Sequence, residues 1–260
     1  MKIGLNFHET FPPTPAYIGR IISVADGKER SIKELSQMTG IPQGESSGKC
    51  RPHLLYSFLM GLLKEDLCTI TELGEIIRSE DPSCSEELTQ WILHKNLVST
   101  TGAPLWNWLF RQLLPGNNLK VTDDYLTRQA QDQFGVNVKT GVCKTCYLNG
   151  LSEIDYLDEN FSGIAVKPKR VSPEYMFLYA YDLFSEWDAF YAGKNEISAD
   201  EMFEMKNAAC FGLTEDEWFE ALEMIAGKNL IRINRQLTPF TIIRNASTEA
   251  VIPKLYSLLL

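Results

Sequence analysis

Apolar positions along the first eighty residues recur at helical spacing, broken by turn residues. Tyr17, Ile18, Ile21, Ile22 and Ala25 mark one face of a helix that Asp26-Gly27 stops. Ser31 with Glu34 three residues on has the form of a capping box, opening a short helix with Ile32, Leu35 and Met38 inward and Thr39-Gly40 at its end. The turn Ile41-Pro42-Gln43-Gly44 leads to a third helix carrying Leu54, Leu55, Phe58, Leu59, Leu62 and Leu63. Thr69 to Ile77 then reads as a strand followed by a short helix. Helix, short helix, tight turn, longer helix and strand is the order of a winged helix-turn-helix, expected over residues 16–80 with Ile21, Leu35, Leu55, Phe58 and Leu62 in one core. Pro12, Pro13 and Pro15 keep the preceding segment non-helical, so it should run extended across this unit.

Beyond Asp81-Pro82 the pattern stays helical. Ser85-Glu86-Glu87 should cap a helix through Leu88, Trp91, Ile92, His94 and Leu97, with His94 a satisfied core histidine. Leu105 to Leu114 forms a second apolar stretch, ended by Pro115-Gly116, and a third helix is expected around Asp123 to Phe134. Near the C-terminus the early order returns. Pro173 opens an aromatic helix, Ser198 and Thr214 cap two more, and Leu230–Ile233 with Phe240–Ile243 alternate like a two-stranded wing. The expectation is a mainly α protein in three parts: an N-terminal segment plus winged helix (1–80), a helical scaffold (81–165) and a second winged-helix-like unit (166–260).

Charge changes the picture. The net charge is −9, yet residues 1–64 hold eight Lys and Arg against five Asp and Glu, leaving −12 on the remainder. A local basic surface can still attract phosphate, because at physiological salt distant charge is screened beyond about 8 Å. DNA contact should therefore be confined to one face. No apolar run is long enough to span a membrane and no signal-peptide core opens the chain, so a cytoplasmic protein with reduced thiols is expected.

The most informative stretch is Gly44-Glu45-Ser46-Ser47-Gly48-Lys49. A nucleotide-binding P-loop needs four residues between Gly and Gly-Lys and a strand before it. Here three intervene and a helix precedes, so ATP binding is not expected. Glycines, serines and a lysine at a helix N-terminus suit a DNA phosphate instead. Ser46, Ser47, Gly48, Lys49, Arg51 and His53 are the expected DNA contacts, with a solvated structural loop as the alternative.

Cys143-Lys144-Thr145-Cys146 is a lone CxxC without the further ligands of a zinc site. Two buried thiols is the favoured reading, and a zinc ion completed by Cys84 or Cys210 stays open. His8-Glu9, next to each other on an extended segment, point to opposite faces and suit a buried hydrogen bond better than a shared metal. The carboxylates Asp123, Asp124, Asp155, Asp158 and Glu159 match no nuclease spacing. No metal ligand and no catalytic residue is assigned.

Several of these motifs together resemble the bacterial family catalogued as domain of unknown function 4007. They are Phe7-His8-Glu9-Thr10-Phe11-Pro12, Thr39-Gly40-Ile41-Pro42, Ser46-Ser47-Gly48-Lys49, Pro52-His53, Thr71-Glu72-Leu73-Gly74, Trp91-Ile92-Leu93-His94 and Trp106-Asn107-Trp108. A looser likeness continues through Phe211-Gly212-Leu213-Thr214. The resemblance implies a subunit working beside enzymes that put sulfur into the DNA backbone, in phosphorothioate-based defence against phage, with other proteins of the system as partners. In one branch of such systems a member of this type nicks DNA, which would bring a divalent metal as cofactor. A winged-helix transcription regulator without enzymatic activity and a protein-interaction scaffold are the alternatives.

Overall fold

The computed structural model describes residues 3–44, 48–135, 137–236 and 238–259. They form a mainly α protein with two small sheets. Helix α1 (Pro15–Ser23) starts with proline in its first turn, and α2 (Ile32–Thr39) starts on the expected Ser31–Glu34 capping box. Gly40 ends α2 in the left-handed conformation that an L side chain would strain. Helices α3 (Cys50–Leu59) and α4 (Glu72–Glu80) both pack on α1. The strand expected from Thr69 shrinks to one antiparallel bridge, Leu63 to Ile70, before α4 begins. Gly74 makes that return possible, since a Cβ there would sit 2.4 Å from the Leu62 carbonyl oxygen. Ile21, Leu35 and Leu62 are core residues, and Leu55 and Phe58 lie half-buried against them.

Helix α5 (Glu87–Val98) is the hub. Every residue from Leu88 to Val98 is buried, polar ones included. Each polar side chain reaches a different part of the chain: Thr89 bonds the Tyr256 hydroxyl, Gln90 accepts from the Glu153 N–H, and Asn96 donates to the Met60 carbonyl. The helix lacks the expected serine cap. Instead the Asp81 carboxylate accepts from the Glu86 N–H at 2.8 Å. The tryptophan-rich stretch continues as α6 (Pro104–Asn107) and a π turn (Trp108–Leu113).

Strand β1 (Lys120–Thr122) pairs antiparallel with β2 (Gly163–Ala165), a ribbon too short to show in the sequence pattern. Between them lie α7 (Asp123–Phe134), as expected, and α8 (Gly141–Thr145), which runs into a π turn (Cys146–Gly150). Helix α9 (Met176–Phe190) follows a 3-10 turn that begins at Pro173. Strand β3 (Glu196–Ser198) then leads into α10 (Ala199–Glu204) through a second capping box, Ser198–Glu201. After α11 (Asn207–Cys210), α12 (Glu215–Gly227) opens on a third, Thr214–Glu217. The expected hairpin forms as β4 (Ile231–Asn234) and β5 (Thr241–Arg244), and β3 adds to it in the order β3-β5-β4. Helix α13 (Thr248–Val251) returns to α9. One continuous apolar cluster, from Phe7 to Leu255, joins all of these elements.

Candidate nucleic-acid interface

Helix α3 is sunk in the protein. Of its ten residues only Arg51 is exposed, with Leu55 and Phe58 half-buried on the same face. A helix that shows Arg-Leu-Phe outward has no continuous polar face, and its exposed charge is confined to its first turn. Lys49 and Arg51 sit there. Ser46 and Ser47, expected to add hydroxyl contacts, lie outside the described residues.

Three expectations at this turn are corrected. The Lys49 N–H is not free for a phosphate, since it donates to the Pro42 carbonyl at 2.9 Å. Pro52, third in the helix, has no N–H to offer. Lys49 is half-buried rather than on the surface, its ammonium 5.7 Å from the Phe11 ring centre. Positive charge at this site therefore comes from side chains more than from backbone donors.

His53 is the third correction. It is fully buried and holds both ring nitrogens in hydrogen bonds. The Thr14 N–H donates to Nε2 at 3.0 Å, so Nδ1 carries the proton and donates to the Lys49 carbonyl at 2.6 Å. Burial pushes its pKa down to about 4. His53 is thus a neutral brace that ties the chain entering α1 to the start of α3, and it does not face a ligand.

The brace also brings in a residue that sequence reasoning missed. Tyr17 meets the His53 ring edge-on at 5.1 Å, and the Arg20 guanidinium lies over Tyr17 at 5.6 Å. Arg20 is exposed, with Nη1 3.5 Å from the Thr39 carbonyl beside the turn that leads to α3. Tyr17 and Arg20 three apart on one helix face were the available signal. Among the described residues Arg20, Lys49 and Arg51 form no ion pair.

The segment before α1 is not extended. Residues 5–10 coil in turns, and the His8 carbonyl accepts from both Thr10 and Phe11 N–H groups. Phe7 and His8 are buried against Trp106, and Tyr56 donates to the Phe11 carbonyl. Of His8 and Glu9, either of which was expected to make a buried hydrogen bond, His8 has neither ring nitrogen paired.

The C-terminal helix α12 presents the opposite charge. Glu215, Asp216, Glu220 and Glu223 are exposed along it. Of the nearby arginines, Arg235 is paired with Glu223, and Arg244 is paired with Asp188 and lies over Phe184. Arg232 is exposed.

Cys143 and Cys146 are fully buried, and desolvation pushes both thiols well above their ordinary range. His94 is the satisfied core histidine expected, between the Tyr147 hydroxyl and the Cys210 carbonyl at 2.8 Å each. Among the described residues no group of three or more His, Cys, Asp or Glu could hold a metal ion. No helix among them is long and apolar enough to cross a membrane.

This architecture is shared with two crystal structures of a protein named SspB. A magnesium-bound form matches with a TM-score of 0.73 at 14% identity, covering 97% of this chain and 88% of that one. A second SspB structure matches at 0.64 and 13%, with the same coverage. The likeness is one of fold. No protein-family model matches the chain, so the family suggested by its motifs is not shown, and no curated protein matches either.

Proposed function

We propose that the protein is a DNA-binding subunit of a DNA phosphorothioation and anti-phage defence system, holding the DNA backbone at the first turn of α3. The observation that carries this is the contrast between two helices. Each follows a shorter helix; α12 leads into the β4–β5 hairpin and α3 into the single antiparallel bridge Leu63 to Ile70, and we read both as winged-helix-like. The N-terminal one surfaces only where Lys49 and Arg51 stand, with Arg20 beside them, whereas α12 exposes four carboxylates. A cationic turn at α3 and an acidic α12 favour the first as the surface for a polyanion. Contacts of this type fix position and affinity, not sequence choice. The setting in phosphorothioation rests on the motif resemblance, with the SspB-like fold as its support.

DNA nicking is the finer form of this reading. The described residues offer no ready metal centre, so no cleavage step is assigned. Conversion of supercoiled plasmid to the open circle, with and without magnesium or manganese, decides it. For binding, fluorescence anisotropy with a labelled duplex is followed across a salt series. Lys49→Ala with Arg51→Ala should weaken all sequences alike and flatten log K against log salt by about 1.8, near 0.9 per lost phosphate contact. Adding Arg20→Ala should remove about 0.9 more. A double variant with wild-type affinity and slope removes this site. A wild-type protein that ignores DNA at low salt leaves the fold as a protein scaffold.

A further inference from the structure

A cavity of about 460 Å³ lies between the π turn that follows α6, the far end of α9 and the junction of α10 with α11. Its floor is already satisfied. Arg111 is buried there, its guanidinium held by the Asp182 carboxylate and by the Val98 and Met205 carbonyls. The rim is open to water and chemically mixed. Phe190 stands on it 46% exposed, one of three large apolar side chains so placed among the described residues. Gln112, Glu204 and Lys206 are exposed around the same opening. The Glu204 carboxylate accepts from the Tyr191 hydroxyl at 2.6 Å, which steadies it and uses one of its roughly four acceptor positions. The Gln112 amide donates to Asn107 Oδ1 at 3.3 Å, so its orientation is set as well. Among the described residues Glu204 and Lys206 form no ion pair, with each other or elsewhere.

These groups select the class of ligand. One carboxylate and one ammonium at the same mouth offset each other, which suits a neutral molecule better than a free anion or cation. A carboxylate can accept two parallel N–H bonds, an ammonium donates to a carbonyl, and an exposed aromatic ring offers a face for stacking. Among the bases, guanine alone carries two adjacent N–H groups beside a carbonyl on one edge of a flat ring. We propose that this cavity binds an unpaired guanine base, its N–H edge on Glu204, its carbonyl toward Lys206 and its ring on Phe190. The inference is independent of the DNA contact at α3.

The test uses the full chain with guanosine, inosine, adenosine and cytidine, observed by ligand-detected NMR and calorimetry. Guanosine should bind in the micromolar to low millimolar range. Inosine, which lacks the exocyclic amino group, should bind at least about tenfold more weakly, the worth of one hydrogen bond to a charged acceptor. Phe190→Ala should weaken guanosine at least about tenfold by removing the stacking face, with unchanged thermal stability because that side chain is exposed. Glu204→Gln, which keeps a carbonyl oxygen for Tyr191, should erase the preference for guanosine over inosine. A labelled single-stranded oligothymidine with one central guanosine separates the sources of the base. If the base comes from DNA, this strand binds more tightly than plain oligothymidine and Phe190→Ala removes the difference. If the two strands bind alike while guanosine binds, the ligand is a free nucleoside or nucleotide. No guanosine binding at about 5 mM, the weak end of specific affinity, equal binding of all the nucleosides, or guanosine binding unchanged in Phe190→Ala overturns the proposal.

Discussion

Lowering the pH from 7.5 to 5 should destabilise this protein through its three histidines alone. All three, His8, His53 and His94, are fully buried. Burial is the leading cause that lowers each pKa from 6.5, to about 4 for His8 and His53 and about 3 for His94. Lys139 adds to the shift of His8 and Arg111 to that of His94, while a hydrogen bond to a carbonyl partly opposes it in His53 and His94. The sign follows from linkage. Below pH 6.5 the unfolded chain takes up protons that the folded chain refuses, so stability is intact above 6.5 and falls until the folded pKa values are reached. At about 1.4 kcal/mol per pKa unit, each histidine costs about 2 kcal/mol at pH 5. Three together approach the whole stability of an ordinary domain, about 5–15 kcal/mol. Urea unfolding at pH 7.5, 6.5, 5.5 and 5.0 measures the loss, and NMR of the histidine ring carbons gives the folded midpoints. His53→Gln should reduce the pH slope by about one proton. A loss under about 1 kcal/mol by pH 5, or folded midpoints near 6.5, would refute the reasoning.

Replacing Arg232 and Arg235 by alanine should leave DNA affinity within about twofold of wild type, because α12 beside them is acidic; a loss of about tenfold, about 1.4 kcal/mol, would place DNA on this end. Arg244→Ala should instead cost about 2 kcal/mol of stability, since Arg244 joins Asp188, Thr248 and the Ala246 carbonyl while covering Phe184. Asp182→Ala should cost about 3–5 kcal/mol by leaving Arg111 buried with a diminished partner set, measured by the urea midpoint. A thiol reagent should label Cys68 first, the half-buried one, and reach the five buried cysteines only on unfolding. Rapid modification of Cys143 or Cys146 in the folded protein would contradict their place in the core.

Much of the secondary structure was determined locally and could be read from the chain. Ser31–Glu34 and Thr214–Glu217 are complete capping boxes within four residues, and α7 spans its apolar and turn signals from Asp123 to Phe134. The β4–β5 hairpin is likewise written in its alternation around a turn. Strands β1, β2 and β3 were not legible, because three residues carry too little alternation and their hydrogen-bond partners lie more than forty positions away. Burial of polar groups was decided by tertiary structure alone. Helix α5 looks amphipathic to no side in sequence, and only the neighbours that satisfy Thr89, Gln90, Lys95 and Asn96 explain why all can be inside. The same holds at the candidate interface. A lysine, an arginine and a histidine within five residues read alike as cations, yet Arg51 remains in water, Lys49 leans on Phe11, and His53 turns inward to Thr14. Which of them keeps its charge depends on the segment folded over α3, since desolvation is a property of what surrounds a group and not of the group itself.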